Sequence, residues 1–217
     1  MGKTACIFGS TGLIGSHLIL RLLDDPKYEK ILVFNRTLQT YNQQKIEQIV
    51  GDYNLLSTYA NQLKANEYYC CLGTTIKIAK TKSAFEYVDL QLPISIGKLA
   101  VENKVSKLLV VSSVGASSKS KNFYLNVKGR MEFELRNLGI ETLYIFRPSM
   151  LLGKREQTRT GESIGKIVMK VLGFLLVGKL KKYRAITAKA VASAMVNVAN
   201  GNFSNLVFES DAIQRLS

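Results

Sequence analysis

The apolar run Ala5–Phe8 is followed at once by Gly9-Ser10-Thr11-Gly12-Leu13-Ile14-Gly15, which leads into a stretch with helical spacing. No other feature constrains the fold so strongly. A strand that turns into a helix over glycines brings free amides to the helix start, lets the backbone approach a pyrophosphate, and packs helix closely on strand. We therefore expect Gly9, Ser10, Thr11, Gly12, Leu13, Ile14 and Gly15 to form a dinucleotide cradle. The glycines at 9, 12 and 15 stand three apart, where the commonest fingerprint has them at its first, third and sixth positions. The bland alternative is a plain strand-to-helix turn that binds nothing.

Downstream, β-rich apolar runs alternate with helix-period segments, the pattern of an α/β, Rossmann-type doubly wound parallel sheet with helices on both faces. The candidate strands are Thr4–Phe8, Lys30–Asn35, Gln48–Val50, Tyr68–Leu72, Lys107–Ser113, Glu141–Phe146 and Leu206–Phe208. Helices are expected at Leu13–Leu23, Leu55–Leu63, Lys82–Asn103 with a kink or break at Pro93, Asn122–Leu138 ended by Gly139, and Thr187–Asn200 between an N-cap Thr187 and Gly201. With 217 residues, 47% of them hydrophobic, a single domain spanning 1–217 can bury a substantial core. Residues 149–186 read as a small C-terminal, substrate-side segment. Within it Ile164–Leu176 is apolar on most faces yet carries Lys166 and Lys170, and is expected to pack over the substrate end of the sheet; a membrane-surface helix is the alternative.

Composition narrows the function classes. No secretory signal is readable at the start, no apolar run approaches the about 20 residues of a membrane span, and a cytoplasmic location is the default. Cys6, Cys70 and Cys71 sit in apolar contexts as small hydrophobes of a reducing compartment. One histidine, His17, and scattered cysteines give no metal site, and nothing supplies Ser113 with the base a serine hydrolase needs. The formal charge is +14, with much of the excess between Arg147 and Lys189. A nucleic-acid or anionic-membrane face would look like this, but no basic motif interleaved with aromatics accompanies it, so a solvated surface around a pocket for a polyanionic cofactor is the stronger reading.

The chemistry lies further along. The fifth strand ends in Ser112-Ser113, and the next helix carries Tyr124 and Lys128, four apart and so on one face. An ammonium beside a phenol favours the phenolate, so Tyr124 can exchange a proton with a carbonyl or alcohol, while Lys128 also holds a cofactor ribose. Ser113, or its neighbour Ser112, would bond the same oxygen. After the second strand stand Asn35 and Arg36, where an NAD-binding chain places an acidic residue for the ribose 2′-hydroxyl. An arginine there suits a 2′-phosphate, which favours NADP(H) over NAD(H). Asp52 is placed to approach the adenine; its alternative is a turn residue after Gly51.

Taken together these motifs resemble the short-chain dehydrogenase/reductase superfamily, in its atypical Thr-Gly-x-x-Gly branch, and within it the Tat-interacting-protein oxidoreductases. The likeness runs through Phe34-Asn35-Arg36, Cys70-Cys71-Leu72-Gly73-Thr74-Thr75, Ser112-Ser113-x-Gly115-Ala116, Tyr124-x-x-x-Lys128-Gly129, Phe146-Arg147-Pro148-Ser149-Met150-Leu151-Leu152 and Arg155-Glu156-x-x-Arg159-x-Gly161-Glu162. The resemblance implies that Thr11–Ile14 contact the diphosphate, that Leu72 and Gly73 line the adenosine side, and that Leu151 and Arg159 approach the nicotinamide half or phosphates. It also implies Tyr124 as proton donor and acceptor with Lys128 as its partner. Where the family commonly has two arginines after the second strand, this chain has Arg36 and then Thr37.

The expected function is an NADP(H)-dependent oxidoreductase acting on a small-molecule carbonyl through Tyr124, Lys128 and Ser113. The alternative is an NADPH-binding, redox-sensing regulator that engages a protein partner with little or no turnover.

Overall fold

Lys3–Phe8 forms β1, and its alternating side chains already divide the core: Ala5 and Ile7 point to one face of a sheet, Cys6 and Phe8 to the other. The computed structural model describes residues 2–152 and 178–217. After α1 (Leu13–Asp24) come β2 (Tyr28–Asn35), β3 (Ile46–Val50), a 3₁₀ helix (Tyr53–Leu63) and β4 (Glu67–Cys70). Then follow α2 (Ile76–Ala79), α3 (Lys82–Glu86), a π turn (Tyr87–Gln91), α4 (Leu92–Glu102), β5 (Lys107–Val111), α5 (Phe123–Arg136), β6 (Leu143–Arg147) and β7 (Leu151–Leu152). The later part holds a second 3₁₀ helix (Gly178–Tyr183), β8 (Ile186–Thr187), α6 (Ala188–Asn200), β9 (Val207–Glu209) and α7 (Ser210–Arg215).

Seven parallel strands lie in the order β3-β2-β1-β4-β5-β6-β9, the expected doubly wound sheet. α1, α6 and α7 cover the Ala5/Ile7 face, while the first 3₁₀ helix, α4 and α5 cover the Cys6/Phe8 face. Both faces are thus dry, as parallel sheets require. Strand order reverses between β1 and β4, so a crevice opens beyond their C-terminal ends, where ligands bind in such folds. The glycine loop leaves β1 at that point.

Several expected boundaries move. β4 stops at Cys70 and β5 at Val111, so Leu72, Ser112 and Ser113 belong to loops at the sheet's C-terminal edge. The sequence expects one helix over Lys82–Asn103; the chain instead makes α3, the π turn and α4, with Pro93 in the first turn of α4. Proline has no N–H to give, and the turn before it widens: the Leu92 amide donates five residues back, to the Tyr87 carbonyl. Thr187 does cap its helix, its Oγ1 accepting from the Ala190 amide at 3.1 Å, and Gly139 takes the positive φ of +73° after α5. The short parallel pair β7–β8 and the helix α7 were not expected from the sequence. Arg159 and the Ile164–Leu176 helix lie outside the described residues.

Candidate nucleotide and proton-transfer site

The glycines of the loop are required by contact. Gly9 has φ +89°, and a Cβ there would stand 3.0 Å from the Cys71 carbonyl group. At Gly15 a Cβ would lie 2.1 Å from the Gly9 carbonyl oxygen, and at Gly12 3.2 Å from it. The Gly12 amide donates to that same oxygen at 3.1 Å. Gly12 is also the N-cap of α1, which starts without a side-chain cap and without an acidic residue in its first turn. The first-turn amides of Leu13 and Ile14 are therefore left for an external acceptor, with the positive end of the helix dipole behind them.

Ser10 and Asn35 hold this loop from inside. The buried Ser10 hydroxyl donates to Asn35 Oδ1 at 2.6 Å, Asn35 Nδ2 donates to the Tyr41 hydroxyl at 3.3 Å, and that hydroxyl lies 3.1 Å from Ser10 Oγ. Asn35, expected beside the ribose, is thus turned inward and ties β2 to the glycine loop. Tyr41 carries no sequence signal of its own, because only the fold brings the β2–β3 loop back over Ser10. Arg36, one residue further, is exposed and makes no ion pair or hydrogen bond among the described residues. Thr11 is exposed as well, at the tip of the loop. Asp52 caps the first 3₁₀ helix, its Oδ1 accepting from the Asn54 amide at 2.9 Å, which is the turn role weighed for it.

On α5, Tyr124, Lys128 and Glu132 follow each other at intervals of four residues. Tyr124 is half-buried, its ring 5.6 Å from that of Phe85. Lys128 is buried, and its Nζ lies 2.8 Å from Asp89 Oδ1 and 3.4 Å from the Val111 carbonyl oxygen. Asp89 comes from the π turn, and its Oδ2 accepts the Thr74 amide at 2.8 Å. Burial pulls the Lys128 proton affinity down, but the Asp89 charge, then the neighbouring Tyr124, more than offset it and hold the ammonium above the usual lysine range. Gly73 is exposed directly above, and a Cβ there would stand 4.0 Å from Lys128 Nζ.

Glu132 engages the other candidate hydroxyl. Ser112 Oγ donates to Glu132 Oε1 at 2.6 Å, and Arg147 grips the same carboxylate in two-pronged fashion, Nε at 2.9 Å and Nη2 at 2.6 Å. Arg147 also reaches Glu209 at 3.1 Å. Ser112 is therefore occupied in a buried network that ties α5 to β5, β6 and β9, whereas Ser113 is half-buried with only the Val114 carbonyl near its hydroxyl, at 3.5 Å. Leu72 is half-buried beside Gly73, and Leu151 sits in β7 against the core under α6. Asp89 is the residue that sequence reasoning missed. Its one signal was a lone acid inside the apolar run Val88-Asp89-Leu90 ahead of Pro93.

A family model described as HIM1 matches residues 29–179. The chain belongs to the HIM1 family. Among its relatives, rat Protein HTATIP2 is 30% identical over 99% of this chain and 89% of its own length. The Protein fmp52, mitochondrial, of Aspergillus clavatus is 28% identical over 88% of this chain and 84% of its own. The resemblance to the Tat-interacting proteins is thereby borne out. Solved structures share the fold: MoeE5 in complex with UDP-glucuronic acid and NAD superposes with a TM-score of 0.70 at 15% identity, covering 95% of this chain and 75% of that one. The UDP-N-acetylglucosamine 4-epimerase of Methanobrevibacter ruminantium gives 0.71 at 16% identity with the same coverage. Among the described residues no helix is long and apolar enough to cross a membrane.

Proposed function

We propose that this protein is an NADP(H)-dependent oxidoreductase that interconverts a small-molecule carbonyl and its alcohol. The observation that carries the reading is the convergence at one end of the sheet of an uncapped glycine-loop helix and a buried, charged Lys128 four residues from Tyr124. The cradle fits a dinucleotide: glycines at 9, 12 and 15 let the loop fold tightly on the Gly9 and Cys71 backbone, and the uncapped first-turn amides would donate to a diphosphate. NAD in the MoeE5 complex supports a nicotinamide dinucleotide as the ligand class.

The bound dinucleotide would supply a hydride at its nicotinamide ring. Leu13 and Ile14 amides hold the diphosphate, and Leu72 and Gly73 line the path between its halves. Arg36, charged and without a partner among the described residues, meets a 2′-phosphate. Lys128, four residues along the same helix face from Tyr124, holds the ribose hydroxyls. Tyr124 gives its proton to the carbonyl oxygen as the carbon is reduced, and takes it back in the reverse direction. Ser113, left free by the engagement of Ser112 with Glu132, orients that oxygen. Leu151 would approach the nicotinamide half or the phosphates.

Isothermal titration with NADPH and NADH tests the cofactor assignment. NADPH is expected to bind at least about tenfold more tightly, and Arg36→Ala to erase the difference; an unchanged ratio in that variant refutes the role of Arg36. Tyr124→Phe keeps NADPH binding and loses turnover on a panel of aldehydes, ketones and quinones. Tight NADPH binding with no turnover by the unmodified protein across that panel assigns it instead to the regulatory class. We place the protein in the cytoplasm; since fungal relatives are called mitochondrial, fractionation decides between the two compartments.

A further inference from the structure

An ammonium with its side chain only 4% exposed does not keep its proton among apolar neighbours unless a charge opposes it. Around Lys128 Nζ stand the Asp89 carboxylate from the π turn, the Val111 carbonyl from β5, the Cys70 thiol from β4 and Tyr124 from its own helix. Only Asp89 is an anion, and among the described residues it is the one ion-pair partner Lys128 has. The second oxygen of the same carboxylate holds the amide of Thr74, in the loop that passes over Lys128 at Gly73.

We propose that Asp89 is a positioning residue of the nucleotide site: one carboxylate keeps Lys128 charged and locks the loop after β4 against it. The proposal rests on the nicotinamide reading above only where it concerns the cofactor. The backbone explains how an acid comes to be there. In a π turn one residue more than in an α turn is accommodated, which shifts the preceding residues by about 100° around the axis relative to α4. Ile96 and Leu99 of α4 keep their apolar contacts with the sheet while Asp89 faces the lysine. Pro93, unable to donate a hydrogen bond, is what makes that wider turn tolerable in an otherwise helical run. The carboxylate does not touch the reacting atoms in this scheme. It acts through Lys128 and Thr74.

The test uses the whole chain labelled with ¹⁵N-lysine, the Nζ signal of Lys128 being assigned by its loss in Lys128→Met. In the unmodified protein this signal stays that of an ammonium up to pH 10. In Asp89→Asn, which retains an acceptor for the Thr74 amide but no charge, burial is unopposed and the midpoint is expected to fall by about two pH units or more. NADPH affinity of that variant then weakens at least about tenfold as pH rises through the new midpoint, and recovers below it, a dependence that a purely structural defect would not produce. A Lys128 midpoint in Asp89→Asn equal to that of the unmodified protein overturns the proposal. Should Asp89→Asn not fold, the double variant Asp89→Asn/Lys128→Met, with both charges gone, is expected to fold and to melt cooperatively. A double variant that also fails to fold overturns the proposal. Failure of the unmodified protein to bind NADPH would strike the nicotinamide reading, while the lysine titration would still judge Asp89.

Discussion

Two lysine–carboxylate pairs sit at opposite ends of the same sheet, and they are built differently. At the N-terminal edge Lys3 meets Glu67 at 2.7 Å; at the C-terminal edge Lys128 meets Asp89 at 2.8 Å. Glu67 also accepts the hydroxyls of Tyr28 at 2.6 Å and Tyr69 at 2.8 Å, and Lys3 also reaches Asn200 at 3.1 Å with a third of its side chain in solvent. Among the described residues Asp89 has a single further donor, the Thr74 amide, and the Lys128 side chain is only 4% exposed. The first pair is a redundantly bonded staple that fastens β1, β2, β4 and α6. The second has fewer partners and lies beneath an exposed glycine. A buried charge held by one counter-ion is found where such folds bring ligands.

The contrast is broken most severely at Lys128. Lys128→Met strands a buried carboxylate, and urea unfolding should show a loss of about 3–5 kcal/mol. Glu67→Gln is expected to remove less, about 1–3 kcal/mol, because the tyrosine hydroxyls and Lys3 retain a polar partner. Tyr28→Phe should remove about 1–2 kcal/mol, since its hydroxyl meets both Glu67 and Tyr69. Lys3→Met comes last, at about 1 kcal/mol or below, since its head group is partly hydrated in the folded protein. A Lys3→Met loss as large as that of Lys128→Met would erase the distinction between the two ends.

Alkali adds a fifth check. Desolvation first, and then the charge of Glu67, raise the Tyr28 and Tyr69 hydroxyls above the usual tyrosine range, and Lys128 is raised by Asp89 against its own desolvation. Each group therefore binds its proton more tightly folded than unfolded. The associated stability is complete below the unfolded values, about 10 for tyrosine and lysine, and is lost as pH rises through the folded ones. Thermal melts should be level from pH 7 to about 9 and fall above about 10. Tyr28→Phe should make that fall shallower. Cys70, pushed up to about 11 by burial, should resist alkylation at pH 8 until the chain is unfolded.

The readable parts of the molecule were local. Gly9–Gly15, the capping Thr187, Gly139 and the alternation of β1 each depend on chain neighbours within one turn or one strand, so the residue pattern alone specifies them. Asn35 at the end of β2 and Asp52 after β3 suggest ligand contacts by position alone. One is turned to Ser10 and the other caps a helix, because polar side chains at strand ends first satisfy the backbone and neighbours they meet. The choice between Ser112 and Ser113 was likewise open in sequence. Glu132, some twenty residues later, closes it by taking Ser112.

The sequence by itself determined the doubly wound class, the glycine loop and the placing of Tyr124 and Lys128 on one helix face, since hydrophobic period and glycine spacing act over short separations. Tertiary structure alone decided that Asp89 faces Lys128 and that Ser10, Asn35 and Tyr41 meet. Those contacts join residues 39 and 25 to 31 positions apart, across strand crossovers whose packing no local pattern encodes.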